Sequence, residues 1–260
     1  MFFIGIDLAW SEKNGSGVVV LKGDVNKAEF VCGNIFYSDD EILKFIEDNI
    51  GDKKALISID APLIVPNESG RRLAEDLAGK LFRKYDAGAH PANRKRLSSW
   101  TGKIRGEEIS KLLSTKGFEH DPYIKKLEAS RKFFEVYPHP SIVVLFKLDK
   151  ILKYKNKPNR SYEFRWNEFK KYQNYLKSLK DLSLPKGVID KNVKNLKGNA
   201  LKDYEDLLDG IFCAYLSYYT WKNPEKCAVL GNMKKGYILT PVFEDMQKQL
   251  KDISSQRLIQ

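Results

Sequence analysis

Three short apolar runs each carry a single acidic residue, and this pairing restricts the folds open to the chain more than any other feature. The runs are Phe2-Phe3-Ile4-Gly5-Ile6-Asp7, Ala55-Leu56-Ile57-Ser58-Ile59-Asp60 and Phe133-Phe134-Glu135-Val136-Tyr137. Runs this short and this apolar read as buried strands, and a carboxylate taken out of water is costly unless it is paired or bound to a metal. A fourth acidic group, Asp203, Glu205, Asp206 and Asp209, lies in a long helical pattern near the end. Acids repeated at such places point to a convergent site, and hard oxygen ligands of this kind suit Mg2+ or Mn2+.

The pattern around these runs predicts a mixed α/β fold. Residues 2–9 form an apolar strand, Asn14-Gly15-Ser16-Gly17 a turn, Val18–Leu21 a second strand and Ala28–Ile35 a third, giving an antiparallel meander. Ser38 caps a helix with Asp39, Asp40 and Glu41 in its first turn, and Gly51 ends it. Ala55–Asp60, reached through this helical crossover, is expected to run parallel to a strand already present. Residues 68–130 read as a mostly helical insertion without a strand, with a loop at Ala87–Asn93. Lys132–Tyr137 is a fifth strand closed by Pro138-His139-Pro140. Ser141–Lys150 and 161–180 read as helices, and Leu184–Gly198 as a loop-rich link. In the helix over 200–221, Asp206, Gly210, Cys213, Ala214 and Ser217 form a stripe of small side chains suited to close packing on a sheet. Asp206 and Asp209, at i and i+3, share one side of it, whereas Asp203 and Glu205 are expected in solvent. Two short strands at 227–230 and 236–240 follow, and 244–260 is a polar helical tail.

Bulk properties narrow the function classes. A chain of 260 residues with 42% hydrophobic residues holds one large domain or two small ones; a single domain over 1–243 is expected. No apolar stretch approaches the roughly 18 residues of a membrane span, so no membrane partner is expected. An N-terminus that begins in a strand, with three scattered cysteines at 32, 213 and 227, predicts a cytoplasmic protein without disulfides or a zinc site. The segment 147–202 carries 16 Lys and Arg against 5 Asp and Glu, which is the whole of the net charge of +11. It interleaves Tyr154, Tyr162, Phe164, Trp166, Phe169, Tyr172 and Tyr175. Cations alternating with aromatics fit nucleic-acid backbone and base contacts; a lysine-rich helical face with its aromatics in the core fits equally well.

In order and spacing, the segments Gly5-Ile6-Asp7-Leu8-Ala9-Trp10, Ile59-Asp60-Ala61-Pro62-Leu63, Glu135-Val136-Tyr137-Pro138-His139-Pro140, Asp206–Tyr215 and Lys235–Pro241 resemble the predicted ribonuclease H-like nucleases catalogued as domain of unknown function 429. The resemblance covers most of the chain. It implies a ribonuclease H-like mixed sheet, three antiparallel strands continued by parallel ones with helices on both faces, and a late helix returning to the site. The family's late helix usually reads Asp-Ala-Leu where this chain has Asp209-Gly210-Ile211.

The resemblance implies phosphodiester hydrolysis with two divalent ions, Mg2+ or Mn2+, clamping the attacking water and the leaving oxygen. Asp7 would bridge both ions, Asp60 and Asp209 would each bind one, and Asp206 or Glu135 would complete a shell; a pairing of Glu135 with Arg131 or Lys132 is the other option. Nucleic acid, DNA or RNA, is the expected partner. Arg83 and the loop carrying His90, Arg94, Lys95 and Arg96 would touch phosphates or form a solvated turn, and His139 would touch a phosphate, move a proton or bond to backbone. Two rivals share the element order: an actin-like or sugar-kinase-like ATP phosphotransferase using the Asn14–Gly17 turn, and a non-catalytic nucleic-acid-binding module.

Overall fold

The computed structural model describes residues 1–99 and 101–257. In chain order the elements are β1 (Phe2–Asp7), β2 (Ser16–Gly23), β3 (Ala28–Phe36), α1 (Asp39–Ile50), β4 (Ala55–Ile59), α2 (Leu73–Phe82), α3 (Arg94–Leu97) and α4 (Arg105–Thr115). They continue with β5 (Glu119–His120), β6 (Arg131–Glu135), α5 (Pro138–Phe146), α6 (Tyr162–Ser178), β7 (Leu182–Ser183), α7 (Lys186–Ile189), α8 (Gly198–Lys222), β8 (Cys227–Asn232), β9 (Gly236–Pro241) and α9 (Glu244–Arg257). Residues 258–260 of the expected polar tail lie outside the described residues.

Seven strands form one mixed sheet in the order β5-β6-β4-β1-β2-β3-β7. β1, β2 and β3 are antiparallel, and β4, β6 and β5 continue from β1 in parallel. This is the order and sense expected of a ribonuclease H-like sheet. Two extensions were not foreseen. Glu119–His120 adds an edge strand inside the segment read as strand-free, and Leu182–Ser183 adds a parallel edge beside β3. Two-residue strands carry too little periodicity to be seen in a sequence. β8 and β9 make a separate antiparallel pair, bridged to the main sheet at Val136–Leu239. Pro138-His139-Pro140 starts α5 instead of closing a loop; proline's fixed φ suits the first helical turn.

Period-2 alternation sorts the sheet into two buried faces. Phe2, Ile4, Ile6, Ile57, Ile59 and Phe133 face α1 and α4, packing with Ile42, Ile46, Ile109 and Leu113. Phe3, Leu56 and Phe134 face the other way, against α6 and α8 with Phe169, Tyr172, Leu208 and Phe212. On that second face α8 lies almost in contact with the strands. A Cβ on Gly5 would stand 2.0 Å from Ala214 N, and one on Gly17 would stand 1.9 Å from Asp206 O. Ser217 Oγ donates to Ile4 O at 3.1 Å and Ser58 Oγ to Cys213 O, tying helix to sheet through the small-residue stripe.

Candidate active site

The sheet places two acids side by side. β1 and β4 are parallel and in register through Ile6–Ile59, so Asp7 and Asp60 leave the sheet together at its carboxyl end, on the α8 face. That end is where open α/β sheets present ligand sites. The tight approach of α8 then sets Asp206 opposite Gly17, and Asp209 one helical step further. Asp7 and Asp60 are partly accessible, while Asp206 and Asp209 are 2% and 0% exposed. Three elements far apart in the chain thus bring four aspartates together.

Crowding and burial act on the protons of this group. Enclosure raises the Asp7 pKa, opposed by Lys155 and assisted by Asp209. Enclosure, then Asp7, raises Asp60 well above the carboxylate range. Asp206 is pushed up to about 8 by burial and then by Asp7. Carboxylates this close resist joint ionisation unless a cation joins them.

Two ammonium groups supply part of that cation. Lys155 Nζ lies 2.9 Å from Asp209 Oδ2, and burial is outweighed by Asp209, Asp7 and Asp60, which hold Lys155 firmly charged. Lys202 contacts Asp206 Oδ1, and pairs with Glu205 at 3.1 Å. Tyr154 donates to Asp209 Oδ1 at 2.6 Å. Neither Lys155 nor Tyr154 was singled out as a site residue in the sequence. Both sit in the link between α5 and α6, where Lys155 is one of 16 Lys and Arg in 147–202, and only tertiary contact distinguishes it.

The remaining expected residues divide. Glu135 departs from its expected role. It pairs with Ile59 in the β4–β6 register, so it faces the α4 side of the sheet, opposite Asp60. There Arg72 contacts it at 2.6 and 3.0 Å and Leu63 N–H donates to it at 2.9 Å. Its partner is neither Arg131, which binds the carbonyls of Gly51, Lys53 and Lys116, nor Lys132, which pairs with Asp121 and Glu128. Glu205 is not solvated but 3% exposed, held by Arg165 and Lys202. Asp203 is half-exposed.

Arg94 donates to Val65 O and pairs with Glu107, its side chain 41% exposed. His139, at the start of α5, has its pKa lowered to about 3 by burial and then by Lys155, so at neutral pH it carries no charge for a phosphate. Arg83, Lys95 and Arg96 are exposed. Arg71 and Arg83 both lie 3.8 Å from the Cβ position of Gly79, and Arg96, Lys157 and Arg71 all act on His90. Lys157 also acts on His139, as do Lys155 and Asp209 of the site. The Arg96 guanidinium lies 5.2 Å from the Trp10 ring, which is 41% exposed and three residues beyond Asp7. Of the aromatics in 147–202, Tyr154, Phe169 and Tyr172 are core residues, while Tyr162 and Phe164 are exposed, so the segment is largely a lysine-rich face over a packed interior.

Carboxylate oxygens are the donor type that a hard divalent cation takes. All four candidate ligands are carboxylates, and Asp206 Oδ2 and Asp209 Oδ2 are both buried without a hydrogen-bond partner. As the side chains stand, Lys155 and Lys202 take up several of the oxygens. Among the described residues no group of three or more His, Cys, Asp or Glu is set to hold a metal ion. Among them too, no helix is long and apolar enough to cross a membrane.

The family described as a protein of unknown function (DUF429) matches residues 5–233, and the chain belongs to it. No curated protein matches the chain.

Proposed function

We propose that this member of the family hydrolyses phosphodiester bonds of nucleic acid with the help of a divalent cation, Mg2+ or Mn2+, held by Asp7 and its neighbours Asp60, Asp206 and Asp209. The observation that carries this reading is the meeting of four aspartates from β1, β4 and α8 at the carboxyl end of the sheet, with buried oxygens of Asp206 and Asp209 left without a hydrogen bond. When bound, the cation lowers the pKa of a water and neutralises charge on the phosphoryl group. The chain's own part is positional. Gly5 and Gly17 let α8 close on the sheet, which fixes the separation of the acids. Arg71, Arg83, Arg96 and Lys157 offer phosphate contacts around them, and Trp10 beside Arg96 offers a face on which a base can stack.

Asp7→Asn and Asp60→Asn are expected to abolish Mn2+-dependent cleavage of nucleic acid while the melting curve and salt-sensitive binding persist. Cleavage surviving in both variants would sink the reading. Binding that needs neither the metal nor Asp7, without any cleavage, would favour a non-catalytic module. No specific observation favours the ATP phosphotransferase. Gly17, in the turn that would serve as its phosphate loop, is already packed against the backbone of α8. Thermal stabilisation by ATP with Mg2+ would revive it.

A further inference from the structure

We infer that Trp10 and Tyr37 form a stacking ledge at the end of the sheet that carries the acids, so that the nucleic acid taken here is single-stranded. The inference rests on the nucleic-acid reading above and names its substrate class.

The strand register brings the two rings to one end. Asp7 pairs with Gly17 and Ser16 with Phe36, so β1 and β3 finish at the same end of the sheet. Trp10 follows β1 by three residues and Tyr37 follows β3 directly. Two strand spacings put the ends of β1 and β3 about 10 Å apart. Trp10 is 41% exposed and Tyr37 50%. The Tyr37 ring lies 3.7 Å from the Cβ position of Gly15, in the turn that follows Trp10.

One buried side chain fixes the frame beneath both rings. Arg105, 7% exposed at the start of α4, donates to Ala9 O at 3.0 Å, Ser16 Oγ at 3.2 Å and Tyr37 O at 3.2 Å, and pairs with Asp39 at 2.8 Å. Ala9 N–H donates to Ser16 Oγ at 3.1 Å, and Tyr37 N–H to Glu41 Oε2 at 3.0 Å. The residue before Trp10, and Tyr37 itself, are thus held at both N–H and C=O. α4 also presses on the loop after Asp60: a Cβ on Gly106 would stand 2.1 Å from Pro62 O. The same helix end therefore seats the loops after Asp7 and Asp60 and the backbone that presents the rings. Rings on a fixed frame lose little freedom on binding, since only two side-chain torsions remain. Arg96, with its guanidinium 5.2 Å from the Trp10 ring, supplies charge for an adjoining phosphate. In a duplex both faces of each base are already covered by its neighbours, whereas an unpaired strand can turn its bases onto aromatic side chains. Two such rings select the unpaired strand.

The test is binding without cleavage. The full chain in EDTA is titrated against a short labelled strand, the same strand annealed to its complement, and an abasic strand of equal length. Fluorescence anisotropy reads binding, and circular dichroism melts check folding. The intact strand is expected to bind about tenfold more tightly than the duplex or the abasic strand. Trp10→Ala and Tyr37→Ala are each expected to weaken binding of the intact strand about tenfold, with its salt slope and the affinity for the abasic strand unchanged. Trp10→Phe and Tyr37→Phe should keep wild-type binding. Duplex or abasic strand bound as tightly as the intact strand would overturn the inference and leave the hydrolytic reading standing. So would folded Trp10→Ala and Tyr37→Ala that bind the intact strand as the wild type does. No binding of any of the three ligands would overturn both. If a variant does not fold, the three ligands on the wild type decide.

Discussion

At the scale of single residues, the aspartates are at odds with the folding of the metal-free chain. Burial and Asp7 push the Asp206 pKa up to about 8, from an unfolded value near 4. Between those two pH values the folded chain keeps a proton that the unfolded chain has lost. Stability therefore falls as pH rises through that window, at no more than about 1.4 kcal/mol per pH unit for this one proton. Urea midpoints of the metal-free protein at pH 5 and pH 8 should show the fall, and Asp206→Asn should flatten it. A variant that keeps the wild-type slope would assign the proton elsewhere. Glu135 shows the opposite case: its carboxylate lies inside an apolar run, yet Arg72 satisfies it. The two cases look alike in sequence because the partner, Arg72, is 63 positions away.

At the scale of elements, the contact of α8 with β1 and β2 decides whether a site exists. A methyl group at Gly5 would stand 2.0 Å from the backbone of Ala214, where no side chain can give way. At Gly210 the nearest atom, Gly17 O, would be 3.0 Å away, so a shift of a few tenths of an ångström suffices. Gly5→Ala is thus expected to destabilise the chain by about 3 kcal/mol or more, and to weaken Mn2+ binding by moving Asp206 from Asp7. Gly210→Ala should lie within about 1 kcal/mol of wild type, helix propensity offsetting the squeeze. Equal losses in chemical denaturation would refute this account of the packing. The small-residue stripe of α8 was legible from its spacing. That two strand glycines receive it was not, since glycine in a strand signals close approach without naming what approaches.

At the scale of the whole molecule, the positive charge is concentrated in 147–202, but the cations proposed to touch phosphate come from several segments. Arg71 and Arg83 flank α2, Arg96 lies in α3, and Lys157 precedes α6. If these hold phosphates, replacing Arg71, Arg83 and Arg96 together with Ala should weaken nucleic-acid binding for all sequences alike. It should also lower the slope of log affinity against log salt by roughly one for each phosphate that is no longer neutralised. Replacing exposed lysines of α6, such as Lys170, should leave the slope unchanged. The reverse result would place the interface on α6.

The sequence by itself determined the central strands, the antiparallel meander of the first three, the parallel sense of the fourth, the small-residue face of α8 and the acids at the ends of β1 and β4. These follow from local periodicity, capping and crossover length, which act over a few residues. Only the tertiary structure decided which acids meet, that Glu135 turns to Arg72, and that Lys155, out of 16 Lys and Arg in its segment, enters the cluster. Those outcomes depend on the register of β4 against β6, on the depth at which α8 seats, and on the path of the link that brings Lys155 to Asp209. Each is a long-range contact between chemically ordinary residues, and a linear pattern carries no trace of which partner wins.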